Sequence, residues 1–165
     1  MIQIRRAAEP DFPAIWAIFQ EIIQAGETYV NDETFTEQAA HGMWLDPAVQ
    51  TFVAVNEDRV VGAYKLVPNL PGRGAHVANG SYIVDADYRG HGIGRLLLEH
   101  SLVEAKHAGY KAIQFNFVVS TNHWAVKLYQ QYGFQILATL PKAFRHSSLG
   151  YVDAYLMHRS LEETT

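Results

Sequence analysis

The sequence predicts a mixed α/β fold, one sheet with helices packed on both of its faces. Two observations carry this. Apolar residues recur with period two in some segments and at helical spacing in others, in the order β-α-α-β-β-β-α-β-α-β-β. The chain is also long enough to bury a sizeable core, at 165 residues with 48% hydrophobic and 18% charged. No internal repeat or linker-like stretch divides it, so a single domain over residues 1–165 is expected. Strands and helices interspersed in one domain meet as a sheet covered by helices.

The elements follow in order. Ile2 to Ala7 reads as a short edge strand. Asp11 stands where it can cap a helix in which Phe12, Ile15, Trp16, Phe19, Ile22 and Ile23 share a face, and Gly26 ends it. Glu27 to Phe35 is polar and irregular, and Thr36 to Leu45 reads as a second helix stopped by Asp46-Pro47. Thr51 to Val55 and Val60 to Val67 flank the turn Asn56-Glu57-Asp58-Arg59 as a hairpin. Pro68 to Gly74 is a loop by composition, His76 to Val84 a strand, and Asp85 to Gly92 a turn. Ile93, Leu96, Leu97, His100, Leu102 and Ala105 mark an amphipathic helix, with Gly109 placed as its C-terminal stop. Ala112 to Val119 reads as a buried strand that nonetheless holds Gln114 and Asn116. Asn122 can cap a helix carrying Trp124, Ala125, Leu128 and Tyr129, ended by Gly133. Phe134 to Leu140 and Tyr151 to Arg159 close the sheet around a loop from Pro141 to Gly150.

Composition narrows the function. There are no cysteines, which removes a disulfide framework, a thiolate zinc site and a cysteine nucleophile. With 13 basic and 17 acidic residues and no basic block, no nucleic-acid footprint is expected. The longest apolar run, Leu96-Leu97-Leu98, is too short to cross a membrane, and the N-terminus shows no signal-peptide core. A cytoplasmic protein is the expectation. His91, His100 and His107 lack ligand spacing with an acidic partner and no H-E-x-x-H occurs, so no metal is expected. A serine hydrolase reading fails for want of a G-x-S-x-G elbow. Phe12, Ile15, Trp16, Phe19 and Trp44 read as core.

The most informative stretch is Arg89-Gly90-His91-Gly92-Ile93-Gly94, between a strand and a helix. Glycines at alternate positions let the backbone approach a ligand closely. The helix start aims free N–H groups and the positive end of its dipole at the same place, an anion site suited to a pyrophosphate. The dinucleotide fingerprint does not fit, because the third glycine comes one residue early, and the P-loop Lys and Ser/Thr are absent.

This Arg89-x-x-Gly92-x-Gly94 turn, after Ile83-Val84 and before Leu96-Leu97-Leu98, resembles the acetyl-CoA signature of the GCN5-related N-acetyltransferase (GNAT) superfamily. Downstream, Asn122-x-x-Ala125-x-x-Leu128-Tyr129-x-x-Tyr132-Gly133-Phe134 resembles that family's next motif. The resemblance implies a mostly antiparallel sheet with one splayed parallel strand pair. It implies acetyl-CoA as cosubstrate, with its pyrophosphate on the amides of Arg89, Gly90, His91, Gly92, Ile93 and Gly94. The pantetheine arm would pair near Ile83 and Val84 and touch Asn122. Tyr129 would donate a proton to the departing thiolate, for which a hydroxyl near the sulfur is chemically apt.

A narrower resemblance, carried by His76-Val77-Ala78-Asn79-Gly80 and Gln114 to Asn122, is to fungal N-acetyltransferases of proline analogues such as azetidine-2-carboxylate. It implies that Asn79 and Asn116 hold a small amino-acid-like acceptor. An amide can donate to a carboxylate and accept from an amine, whereas a buried one without partners is costly. The alternative for each is that it satisfies a neighbouring backbone group. No Glu or Asp occurs within Ala75 to Val84, so the general base stays open. Glu27, Thr28, Tyr29, Val30 and Asn31 are weaker candidates for the acceptor wall, and His41 and His76 could reach it. Peptide, phosphinothricin-like or polyamine acceptors, and a non-catalytic acetyl-CoA sensor, remain alternatives. By the same resemblance a homodimer through Phe144 to Leu161 is expected.

Overall fold

The computed structural model describes residues 1–163. Its strands are β1 (Ile2–Arg6), β2 (Gln50–Asn56), β3 (Arg59–Pro68), β4 (Val77–Val84), β5 (Ala112–Val119), β6 (Gln135–His146) and β7 (Gly150–Ser160). The helices are α1 (Phe12–Ala25), α2 (Glu37–Leu45), α3 (Ile93–His107) and α4 (His123–Gln131). All seven strands form one sheet in the order β1-β2-β3-β4-β5-β7-β6. Every neighbouring pair is antiparallel except β4 and β5, which are parallel. The expected mixed α/β fold, with its splayed parallel pair, is the observed one.

Strand alternation divides the core between the two faces. Val53, Ala63 and Ile83 point to one face, where α1 and α2 cover them with Ile15, Phe19, Ile22, Ala40 and Trp44. Phe52, Tyr64, Leu66, Ala78, Ile113 and Phe115 point to the other, against Ile93, Leu97, Leu98 and Leu102 of α3 and Leu128 of α4. Because β3 is covered on both faces, Val60 to Leu66 is buried at every position. Gly62 in that run is required by close packing. A Cβ there would lie 2.9 Å from the Ile83 carbonyl oxygen and 3.1 Å from both Ile93 and Leu97. That close approach seats the start of α3 on the sheet.

Two local expectations are corrected, and Trp124 takes a place the sequence did not assign. Asp11 precedes α1, but its carboxylate makes no cap bond to the helix. The second helical residue is Pro13, which has no N–H to offer. Asp11 instead takes a bidentate pair from Arg5 at 2.7 and 2.8 Å and the Ala8 N–H at 2.8 Å, tying β1 to the entry of α1. The expected loop from Pro141 to Gly150 is mostly strand. β6 runs to His146, with an irregularity between Leu140 and Phe144 where Lys142 has φ 51° and its N–H bonds Asp153 Oδ1. Pro141 marks that interruption and not the strand's end, as an edge strand tolerates. Trp124 does not join the core. It is exposed and lies over Gly94.

Candidate active site

The glycine turn stands at the start of α3. Gly90 and Gly92 have φ of 77° and 79°, a left-handed conformation that glycine adopts without strain. Neither would meet a neighbour with an added Cβ, so the need for glycine is in the backbone and not in space. The first helical bond runs from the Leu96 N–H to the Gly92 carbonyl at 3.1 Å. The N–H groups of Ile93, Gly94 and Arg95 therefore have no intrahelical acceptor. The segment before the turn is fixed by Asp85, which receives Arg59 at 2.7 Å and the Asp87 N–H at 3.0 Å. His91 differs from its neighbours. It is exposed, its ring meets the Arg89 carbonyl at 3.0 Å, and it does not line the cleft beside the turn.

That cleft has a volume of about 640 Å³ and runs from the turn through the gap between β4 and β5. The gap has a clear origin. β4 and β5 pair only at Val77 with Ala112 and Ala78 with Ile113. At the next position the Asn79 Nδ2 donates to the Gln114 carbonyl at 3.2 Å, extending the ladder by a side chain. Beyond it, β5 carries a bulge against β7, with Asn116 and Phe117 opposite one residue of the partner strand. A bulge bends its strand and re-aims side chains. Here it swings β5 away from β4, and Ile83, Val84, Val118 and Val119 line the opening.

Tyr129 stands at the gap on α4. Its ring packs on Phe115, with centroids 4.5 Å apart, and on Phe134 at 5.8 Å. Its hydroxyl has no protein hydrogen-bond partner among the described residues and is not sealed from the cleft. Burial pushes its pKa upward, so the phenol stays protonated at neutral pH. The helix end that aims it is written in the sequence. Gly133 has φ 86°, the Gly133 N–H bonds the Gln130 carbonyl, and the Phe134 N–H bonds the Tyr129 carbonyl at 3.0 Å. This is a Schellman termination with its customary apolar contact between Phe134 and Tyr129. At the other end of α4, Asn122 Oδ1 caps the Ala125 N–H at 3.4 Å, which leaves its amide nitrogen for the cleft it lines.

Away from the turn the cleft is lined by Glu27, Thr28, Tyr29, Val30 and Asn31 and by residues of β4 and β5. Tyr29 fixes this wall. Its hydroxyl donates to the Tyr82 carbonyl at 2.9 Å and its ring packs edge-on against Phe19. Asn79 and Asn116 both line the cleft, but neither is buried as expected: Asn79 is half-buried and Asn116 exposed. The helices α1 and α2 cover β2 to β4 and stop short of β5, so the strand turns polar side chains to that open face. Gln114 donates to Asn116 Oδ1 at 2.9 Å, and Asn116 Nδ2 donates to Asn69 Oδ1 at 2.6 Å. Asn69, in the loop after β3, is a member the sequence left unassigned. His41 and His76 do not line the cleft; His41 pairs with Glu9 at 2.7 Å. Among the described residues lining the cleft, Arg89 at the turn is the one basic residue and Glu27 the one carboxylate.

Residues 4–134 match the Acetyltransferase (GNAT) family. The chain belongs to the GNAT acetyltransferase family. It is similar to N-acetyltransferase aca1 of Schizosaccharomyces pombe, at 30% identity over 81% of this chain and 72% of that one. It is likewise similar to the L-amino acid N-acetyltransferase AaaT of Escherichia coli, at 30% over 96% and 97%. A GCN5-related N-acetyltransferase from Kribbella flavida superposes with a TM-score of 0.93 at 45% identity, covering 96% of this chain and 97% of its own. The resemblance that the two motifs carry is thus to the right family, and the narrower one to fungal enzymes is consistent with aca1. As a GNAT enzyme the chain is an acetyl-CoA-dependent N-acetyltransferase.

Within the GNAT frame the geometry has three parts along one cleft. The turn offers an anion site of unpaired amides beside Arg89. The gap offers unpaired strand edges to a linear chain. The remainder of the cleft presents hydroxyls, amides and a carboxylate. No helix among the described residues is long and apolar enough to cross a membrane.

Proposed function

We propose that this enzyme acetylates the amine of a small amino acid or imino acid, a proline analogue such as azetidine-2-carboxylate being a suitable acceptor. One observation carries the reading: a free, protonated Tyr129 hydroxyl lies in a single cleft between the phosphate turn and an acceptor end lined by amide side chains. In this reading the amides of Arg89 to Gly94 bind the pyrophosphate, Ile83 and Val84 pair with the pantetheine arm, and Asn122 contacts it. The thioester carbonyl then sits in the strand gap. The acceptor nitrogen forms its bond to the carbonyl carbon, the C–S bond breaks, and Tyr129 gives its proton to the departing sulfur. Glu27 receives the proton that the amine loses. Asn79, whose Nδ2 is committed to Gln114, offers Oδ1 to the amine, and Asn116 orients the acceptor together with Asn69. The relative named an L-amino acid N-acetyltransferase, similar across nearly the whole chain, supports this substrate class.

The test is thiol release from acetyl-CoA against azetidine-2-carboxylate, cis-4-hydroxyproline, proline, common α-amino acids, phosphinothricin, a polyamine and a short peptide. Turnover concentrated on free amino or imino acids is expected. Turnover confined to the peptide or the polyamine would overturn the assignment of acceptor.

A further inference from the structure

A charge stands in the middle of β3 where the pattern calls for an apolar side chain. Lys65 falls within the run buried from both sides and is only 8% exposed. Alternation puts it on the α1/α2 face, between its cross-strand neighbours Thr51 on β2 and Ser81 on β4. Among the described residues no carboxylate pairs with it and no group accepts a hydrogen bond from its ammonium. The face of Trp44 lies 6.0 Å from Nζ. The ion pairs of the fold lie elsewhere, at Asp11, Glu9, Asp85, Asp87, Glu104 and Glu162. Desolvation alone acts on Lys65 and holds it below the usual lysine range. An unpaired ammonium in such a place is costly, and a fold selected for stability alone would carry valine or isoleucine there.

The surroundings show where a partner would come from. Ser81, directly across the ladder, lines the acceptor end of the cleft, and so does Asn79, diagonal to Lys65 on the same face. Met43, next to Trp44 on α2, lines it as well, as does Tyr29, whose hydroxyl neighbours Ser81. Lys65 does not itself line the cleft; it lies one strand behind Ser81, on the same face of the sheet. Its four-carbon stem is flexible, and Ser81, its directly opposite neighbour on β4, stands at the Cβ separation of a cross-strand pair, about 4.5–5.5 Å.

We propose that Lys65 is the carboxylate receptor of the acceptor site, the acid of the substrate entering between Ser81 and Met43 to pair with Nζ. The amine then stays level with Asn79, near the strand gap. The ion pair missing from the free enzyme forms only when an acceptor bearing an anionic group is bound, which selects amino acids over plain amines. This rests on the amino-acid reading of the same site and names the group that enforces it.

The experiment compares wild type, Lys65→Met and Lys65→Arg on the best amino-acid acceptor and on its carboxamide, which keeps the amine and lacks the acid. Lys65→Met is expected to raise KM for the acid about 30-fold or more. KM for the carboxamide and for acetyl-CoA should stay within about twofold of wild type. Lys65→Arg is expected to recover part of the acid's KM. The methionine variant should melt no lower than wild type, since it keeps the stem and removes an unpaired charge, a trade of function against stability. An unchanged KM for the acid would overturn the inference, as would equal losses on both acceptors, which would mark Lys65 as a base or a packing residue. Wild-type enzyme that ignores amino acids altogether would instead overturn the proposed function itself.

Discussion

At the scale of single residues, the cleft sorts its side chains by what they leave unpaired. Tyr129 keeps a hydroxyl with no protein acceptor and a pKa raised by burial. Tyr29, raised likewise, spends its hydroxyl on the Tyr82 carbonyl. In the proposed reaction the first gives a proton, whereas the second holds a wall. Tyr129→Phe keeps the ring on Phe115 and Phe134, so acetyl-CoA KM should be unchanged while kcat falls about 100-fold, the scale of a lost general acid. A fall of under about threefold would remove Tyr129 from the chemistry. Glu27→Gln should lose kcat at pH 7, where an α-amino acceptor is mostly protonated. It should regain rate as pH rises toward the acceptor's own amine pKa, which for a free amino or imino acid lies above that of a peptide N-terminus; a loss constant across pH would assign Glu27 a structural part. Asn79 and Asn116 were legible as polar residues out of place in strands. Their partners were not, because Gln114 and Asn69 meet them only through the sheet register and a loop. The exposure of Asn116 depends on where α1 and α2 end over the sheet, which no local pattern states.

At the scale of elements, the two motifs turn out to be local backbone instructions. Arg89 to Gly94 specifies a left-handed turn into a helix, and Tyr129 to Phe134 specifies a Schellman ending that holds the ring of Tyr129 against Phe134. Such signals act within one turn of chain, which is why they could be read directly. The bulge at Asn116-Phe117 and the long β6 could not, since each is set by pairing with β7. Asp11 shows the same limit: a capping residue by position, it was taken by Arg5 from a neighbouring strand. That pair has a pH signature. The Arg5 guanidinium holds the Asp11 carboxyl below the usual carboxylate range, with the Ala8 N–H assisting. A group whose pKa is lower in the folded state stabilises the fold above its unfolded pKa of about 3.9 and loses that contribution as pH falls through the folded value. Asp11→Asn should therefore cost about 1 kcal/mol at pH 7, since Arg5 is partly exposed and screened. The difference from wild type should vanish near pH 2 in urea melts at the two pH values. A cost equal at both would mean that packing, not charge, ties β1 to α1.

At the scale of the molecule, the sheet is two blocks joined at a narrow seam. β1 to β4 form one and β5, β7 and β6 the other, held by two paired positions, the Lys111 N–H on the His76 carbonyl, and the Asn79 side chain. Across the seam the strand edges of Gly80 to Val84 and Phe115 to Val119 do not meet. An acyl-CoA chain lying in the gap would supply the missing pairings, so ligand and fold are coupled: what binds there also closes the sheet. Binding to the folded state alone adds about 2.7 kcal/mol of stability at a concentration 100 times Kd. For a chain of this size that is a rise in Tm of about 5–11 °C. The coupling predicts more than a uniform rise. Amide exchange should slow most in residues 80–84 and 115–119 and at the turn Gly90 to Gly94, because these are the groups the ligand pairs or covers. Slowing spread evenly over the chain would show that acetyl-CoA stabilises by mass action without bridging the seam. Slowing confined to the turn would place the pyrophosphate there and leave the pantetheine arm out of the gap, and with it the positioning of the thioester beside Tyr129.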